Sequence, residues 1–259
     1  MKRSLSIILI ATATLFGIRC TTVPETGRRA INLIPESQLN SMSLQAFSDM
    51  KASTEISKNA KYNNMVRRLG QRISAVVQED FPDTVWEFVV FDDDQVNAFA
   101  MAGGKVGVYS GIIDLVDSED ELAVVIGHEI AHVTARHSNE RMSQQIIAGG
   151  IGAALAFGTG ELDDDTRVMI LGAYGAGSQF GVLLPYSRTH ENEADEIGLY
   201  YAARAGYDPR AAITFWEKMK AQKSGRTPEW ASTHPSDETR INHLKEIMPR
   251  ALELYQLYR

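Results

Sequence analysis

Residues 118–132 read Ser118-Glu119-Asp120-Glu121-Leu122-Ala123-Val124-Val125-Ile126-Gly127-His128-Glu129-Ile130-Ala131-His132. Ser118 with Glu121 three residues on is a capping box, and it predicts a helix running from there to about His137. Leu122, Val124, Val125 and Ile126 leave little room for a polar face, so this helix is largely buried. His128 and His132, at i and i+4, project from one side of it about 6 Å apart, which suits two neighbouring positions on a tetrahedral metal. Glu129 borders the same side and can take a proton from a metal-bound water without ligating the metal. Two unpaired imidazoles inside an apolar helix would be costly. Two His and one Glu at these spacings recur by chance in roughly one chain in a hundred of this length. The capped, apolar helix around them is what raises the pattern above coincidence.

A zinc site needs a third protein ligand, and residues 187–195, Ser187-Arg188-Thr189-His190-Glu191-Asn192-Glu193-Ala194-Asp195, supply candidates. Glu191 and Asp195 share a helical face. Glu191 can complete the protein ligands, and Asp195, one turn on, can accept the other ring N–H of a ligating histidine. His190 competes with Glu191 for the ligand position. Gly198 and Ala202 continue the face and permit close packing on the first helix. Glu193 and Glu196 read as a solvated acidic face. On a continuous helix His137 lies about 140° round from His132, so it reads as a partner of the helix C-terminus rather than a ligand. His243 reads as a surface residue, and Tyr109 and Tyr186 carry no assigned role.

Outward from these two stretches the chain predicts further helices at 37–48, 60–79 and from Asp208-Pro209 to about Lys223. Another opens at Pro235-Ser236 toward Met248, interrupted by Pro249. Trp86–Phe91 reads as a strand, and Asn97–Ala100, Gly103-Gly104 and Lys105–Tyr109 as strand, turn and strand. Two Gly- and Ala-rich apolar stretches, Ile146–Phe157 and Val168–Pro185, read as buried helices, with membrane contact as the second possibility. Lys2 and Arg3 precede an apolar run from Leu5 to Ile18, the shape of an export signal in 1–19. Residues 20–36, with Pro24, Gly27 and Pro35, read as a tether, and 37–259 as a single domain.

The chain has 259 residues, 44% apolar and 23% charged, with net charge −7, an ordinary globular composition. The acidic balance argues against nonspecific nucleic-acid binding. Cys20 is the one cysteine, which rules out an intrachain disulfide, a Cys-rich zinc knuckle and a Cys-X-X-Cys redox site. It stands just past the apolar run, where a bacterial lipoprotein carries its acylated cysteine. Arg19 before it departs from the small residue usual there, and an uncleaved signal anchor is the alternative.

With these residues in view, the sequence resembles the HtpX and CAAX-prenyl-protease family of gluzincin zinc metallopeptidases, in its exported bacterial lipoprotein branch. The likeness covers most of residues 20–245. It is carried by Thr26-Gly27-Arg28, Asn97-Ala98-Phe99-Ala100, Gly103-Gly104-Lys105 and Gly127 to His132. It continues in Ser187-Arg188 with Glu191, Ala194 and Asp195, and in His234-Pro235 with Arg240-Ile241. Met101-Ala102 departs from the Leu-Pro common in the family. The resemblance implies an α+β, mostly α-helical gluzincin-like fold with a small β-sheet beside the active-site helix. It implies one Zn2+ per chain on His128, His132 and Glu191, with Glu129 as base, Asp195 behind the ligands, and His234 and Arg240 near the cleft.

The function expected is a zinc metalloendopeptidase of the bacterial envelope acting on misfolded or unassembled proteins. It would work on the periplasmic side, anchored by an N-terminal lipid or signal anchor, as an outer-membrane lipoprotein with protein or peptide substrates and envelope partners. The alternative is a zinc-stabilised envelope chaperone or scaffold. His234 has two possible parts, as a gate ligating the fourth zinc position or as an oxyanion contact, the latter shared with Arg240. Mass spectrometry of the mature N-terminus in the native host is expected to find lipid on Cys20, whereas a chain beginning at Met1 would establish the anchor.

Overall fold

A computed structural model describes residues 19–147, 187–221, 230, 234 and 238–259. Residues 1–18 of the expected export signal lie outside these, as does all of 146–185 beyond Ile147. Among the described residues no helix is long and apolar enough to cross a membrane. In chain order the elements are β1 (Arg19–Thr22), β2 (Arg29–Asn32), α1 (Glu36–Ser53), α2 (Ala60–Val77), β3 (Glu87–Phe91), β4 (Ala98–Met101) and β5 (Lys105–Tyr109). There follow α3 (Ser110–Leu115), α4 (Glu119–Thr134), a helical stretch 137–147, α5 (Arg188–Arg204), α6 (Ala211–Ala221) and α7 (Glu238–Tyr258). The fold is α+β and mostly helical, as expected.

The three-stranded sheet has the order β3-β5-β4, with β5 parallel to β3 and antiparallel to β4. Alternation along the strands sends residues to opposite faces. Val90, Ala98, Ala100, Val106 and Val108 join the main core with Val66, Leu69 and Ile73 of α2 and Leu122, Val125 and Ile126 of α4. Phe91, Phe99, Met101 and Tyr109 face the other way and enclose Phe47 of α1. The β4–β5 turn needs left-handed backbone at Gly103 (φ 76°) and Gly104 (φ 80°), which explains the double glycine. β3 and β4 are the outer strands, and β4 packs against α4.

Helix α4 starts as the capping box predicts: Ser118 Oγ accepts the Glu121 N–H at 3.2 Å. Glu121 reaches back to the N–H of Asp117 at 2.8 Å, one residue before the cap, and also pairs with Lys218 at 2.7 Å. The helix ends earlier than predicted. Ala135 closes it and Arg136 adopts φ 58°, a left-handed stop, before helix resumes at 137. Helix α5 crosses α4 at two glycines. A Cβ on Gly127 would stand 2.6 Å from the Gly198 carbonyl oxygen, and one on Gly198 would stand 2.6 Å from the His128 nitrogen. The backbones therefore touch, and His128 is carried against Glu191 and Asp195.

Two expectations change. Residues 20–36, read as a tether, form in part an antiparallel hairpin in which Cys20, exposed, stands opposite Ile31. Its turn is made possible by Glu25 (φ 64°) and Gly27 (φ 69°). Pro249 does not interrupt the last helix: α7 runs through it to Tyr258, because one lost N–H is offset by burial of Ala251 and Leu254 beyond it.

Gly198→Ala is expected to destabilise the fold by about 1–3 kcal/mol, since the atoms it meets are backbone and cannot swing aside. Denaturant unfolding measures this. A variant as stable as the parent would mean that the helices are not in backbone contact.

Candidate metal centre

Helix α4 presents His128, Glu129 and His132 on its face toward α5, and α5 returns Glu191 and Asp195. His234 stands on a bend between α6 and α7, its N–H bonded to the carbonyl of Trp230 at 2.8 Å. One donor atom each from His128, His132, Glu191 and His234 converges within 4.8 Å of the others, all of them buried. The Nε2 atoms of His128 and His132 lie 3.0 Å apart. Each is 3.5 Å from a different oxygen of Glu191. His234 Nδ1 is 3.2 Å from His128 Nε2 and 3.1 Å from Glu191 Oε1. A tetrahedral zinc with bonds of about 2.0–2.1 Å has ligand-to-ligand edges of about 3.3 Å. The cluster therefore has the size and the N/O chemistry of a zinc site. Imidazole nitrogens this close cannot all carry protons toward one another, so a cation between them resolves the conflict.

Electrostatics agrees. Burial opposes a charge on His128, but Asp195 and Glu191 outweigh it and push the ring up to about 9. Burial pushes His132 well below the ordinary imidazole value, with the His128 charge adding to the effect. Burial also works against ionisation of Glu191, yet His234, Arg240 and the His128 hydrogen bond hold its carboxyl well below the usual range. Asp195 and Glu191 thus favour a positive charge beside them, while burial keeps His132 neutral, the form that can ligate a metal.

Two supports stand behind the donors. His128 Nδ1 lies 3.0 Å from Asp195 Oδ1. Asp195 is gripped by Arg240 through Nε and Nη2, both at 2.7 Å, while Arg240 Nη1 reaches Glu191 Oε2 at 2.7 Å. Arg240 is 2% exposed and its guanidinium lies over the Trp216 ring at 4.0 Å. On the other side, His132 Nδ1 meets His137 Nδ1 at 2.8 Å, and His137 Nε2 meets Glu193 Oε2 at 2.9 Å. Burial pushes His137 down to about 4, so it is neutral at physiological pH and can accept at one nitrogen. Glu129 faces the centre from a different angle. Its Oε1 accepts the Trp230 indole N–H at 2.9 Å and lies 3.5 Å from His234 Nε2.

The structure thus brings His128, Glu129, His132, Glu191, Asp195, His234 and Arg240 together, and it leaves Cys20 exposed on the N-terminal hairpin. His190, the rival ligand, turns away: its Nε2 is 3.1 Å from Glu140 and its ring stacks on His137. His137 does not serve the C-terminus of α4 as expected. The left-handed residue at 136 breaks the helix and folds His137 back against His132. Glu193 is not solvated but 6% exposed, held by His137 and Arg28. Trp230 and Glu140 join the site without any mark in the sequence, because a lone Trp or Glu carries no spacing signal.

Comparison with known proteins agrees with this geometry. The family described as Peptidase family M48 matches residues 60–248. The mitochondrial metalloendopeptidase OMA1 of Schizosaccharomyces pombe is 40% identical over 188 residues, 72% of this chain and 53% of that protein. The beta-barrel assembly-enhancing protease of Escherichia coli K12 is 29% identical over 268 residues, 98% of this chain and 54% of that protein. Human OMA1 is 29% identical over 247 residues, 90% of this chain and 47% of that protein. The chain thus spans about half the length of these relatives.

Asp195→Ala is expected to weaken zinc binding by about 10–100-fold, the usual effect of removing a carboxylate behind a ligating histidine. Glu191→Ala should lose more. Metal analysis after dialysis reads both, and full zinc retention by Glu191→Ala would place the third ligand elsewhere.

Proposed function

The chain belongs to peptidase family M48, and from that premise we propose that it is a zinc metalloendopeptidase acting on proteins of the bacterial cell envelope. The observation that carries the reading is Glu129. It is a buried carboxylate beside a four-donor metal set yet outside it, held by Trp230. A site whose zinc only braces the fold has no use for such a group.

In this proposal His128, His132 and Glu191 hold the zinc, and Asp195 and Arg240 keep the ligands in place. Bound zinc supplies a Lewis acid that polarises a peptide carbonyl and makes water nucleophilic near neutral pH. The Glu129 carboxylate takes the proton of the attacking water and delivers it to the leaving amine. The Trp230 N–H on Oε1 leaves the other carboxylate oxygen for that transfer. A peptide would lie along the outer edge of β4, its main chain completing the ladder. A crevice at the β4–β5 turn, lined by Leu39, Asn40, Ala102, Gly103 and Arg136, includes His132 of the centre in its lining.

His234 is proposed as the gate. Its Nδ1 is the fourth donor of the set, where it would take the place that a water activated by bound zinc needs. Three of the four donors sit on packed helices and His234 does not, so it is the one that can leave. The envelope setting and lipid on Cys20 rest on the sequence features of the N-terminus, and substrates among misfolded or unassembled proteins rest on the family resemblance. The envelope setting is supported by the match over 98% of the chain to a protease named for β-barrel assembly. The closed four-donor set also suits a second reading, a zinc-stabilised chaperone or scaffold.

Glu129→Gln is expected to keep zinc and lose at least about 10²–10⁴-fold in casein hydrolysis, the size of a general-base contribution. Parent-like hydrolysis by the purified variant would end the mechanism proposed for Glu129, whereas a parent that binds zinc and hydrolyses no casein would favour the chaperone reading. His234→Ala should raise hydrolysis. A fall of about 10²–10³-fold would instead assign His234 to the oxyanion, and activity within about twofold of the parent would dismiss both roles.

A further inference from the structure

The two histidines on α4 are supported in parallel ways, and the second support leads out of the site to the N-terminal hairpin. His128 ends on Asp195, which Arg240 grips. His132 ends, through His137, on Glu193, which Arg28 grips through Nε at 2.9 Å and Nη2 at 2.7 Å. Arg28 also makes a two-point pair with Glu140, Nη1 to Oε1 at 2.8 Å and Nη2 to Oε2 at 2.6 Å. Glu140 accepts in turn from the His190 side. Thr26 Oγ1 donates to the remaining oxygen of Glu193. One guanidinium thus holds both carboxylates, Glu193 and Glu140, which in turn are bonded to the His137 and His190 rings.

The hydrogen-bond directions follow from the donor set. His132 turns Nε2 toward the metal donors, so Nδ1 carries the proton and donates. His137 must therefore accept at Nδ1 and carry its own proton on Nε2, which it gives to Glu193. Glu193 can only accept, and it stays put because Thr26 and Arg28 hold both its oxygens. The residues around the hairpin keep it seated independently of this chain. Leu33 N–H donates to Ser143 Oγ at 2.8 Å, Asn139 Nδ2 donates to the Ile34 carbonyl at 2.8 Å, and Arg204 pairs with Glu25.

We propose that Arg28 is a positioning residue of the metal centre, which acts through Glu193 and His137 to fix the tautomer and orientation of His132. This gives Thr26-Gly27-Arg28 a task, and it lies before residues 60–248 that match the family. It makes the N-terminal hairpin a working part of the zinc site, so that displacing the hairpin loosens the metal. The inference rests on the reading of His128, His132 and Glu191 as zinc ligands.

The test is zinc affinity by chelator competition on the purified full chain, together with the visible absorption of the cobalt-substituted protein. If the parent binds no zinc, the ligand assignment itself fails. With the parent binding, Arg28→Ala is expected to lower affinity by about 10–100-fold and to shift the cobalt bands. His137→Leu should do the same, while His137→Gln, whose amide can accept and donate, should recover most of the loss. Arg204→Ala removes a second tie of the same turn without touching the relay and should leave affinity and spectrum as in the parent. Circular dichroism and thermal unfolding of the metal-free proteins show that each variant is folded. If Arg28→Ala does not fold, His137→Leu against His137→Gln decides. Affinity within about twofold of the parent in a folded Arg28→Ala or His137→Leu would overturn the proposal, as would a loss in Arg204→Ala as large as that in Arg28→Ala.

Discussion

Backbone contact between Gly127 and Gly198 is the constraint on which the centre depends. With any side chain at either position the two helices would stand farther apart, because the nearest atoms are a carbonyl oxygen and a peptide nitrogen at 2.6 Å. At that crossing His128 follows Gly127 immediately, and Asp195 and Glu191 lie about one and two turns before Gly198. The close approach therefore places two imidazoles and two carboxylates around one point without any loop having to carry them. Ala194, Ile197 and Ala202, all fully buried, line the same contact and keep it apolar apart from the ligands.

Such a cluster of ionisable groups would be prohibitive in a dry interior unless each were paired. The pairing is hierarchical. Each α4 histidine ends on a buried carboxylate and each carboxylate ends on an arginine. The inner arginine, Arg240, is sealed under Trp216, whereas the side chain of Arg28 keeps 26% of its surface exposed. One support of the centre is thus locked in the core, and the other is reachable from the surface. Losing a member of either chain leaves a buried charge without its partner, a far larger penalty than losing a surface ion pair.

The same layout separates rigidity from exchange. His128, His132 and Glu191 are held by helices whose packing is continuous with the main core, which in turn rests on the sheet through Ala98, Ala100, Val106 and Val108. His234 stands on a bend, not on a helix; its N–H bonds to the Trp230 carbonyl and its carbonyl accepts from Arg240 at 3.4 Å. A hydrolytic site needs three fixed ligands and a fourth position that can change hands. In the function proposed above, the distribution of these four donors between helix and bend serves that need. Trp230 couples the two parts, since its ring packs on His234 and its indole nitrogen holds Glu129.

Much of this was legible in the chain itself. The capped apolar helix with His128, Glu129 and His132, the Glu191/Asp195 face with Gly198, and the Gly103-Gly104 turn are local patterns, set by helical and strand periodicity and by backbone freedom within a few residues. The sequence alone therefore determined the two ligand helices and the donor types. Tertiary structure decided what periodicity cannot reach. A left-handed Arg136 ended α4 early, so His137, extrapolated on a continuous helix to the far side, came back against His132. Glu193, which reads as solvated by composition, was buried by an arginine from a hairpin 165 residues away in sequence. Pro249 stayed inside α7 because the burial beyond it outweighs one missing hydrogen bond. In each case the outcome depends on contacts between distant segments, whose energies appear only once the chain has packed, and no local spacing encodes them.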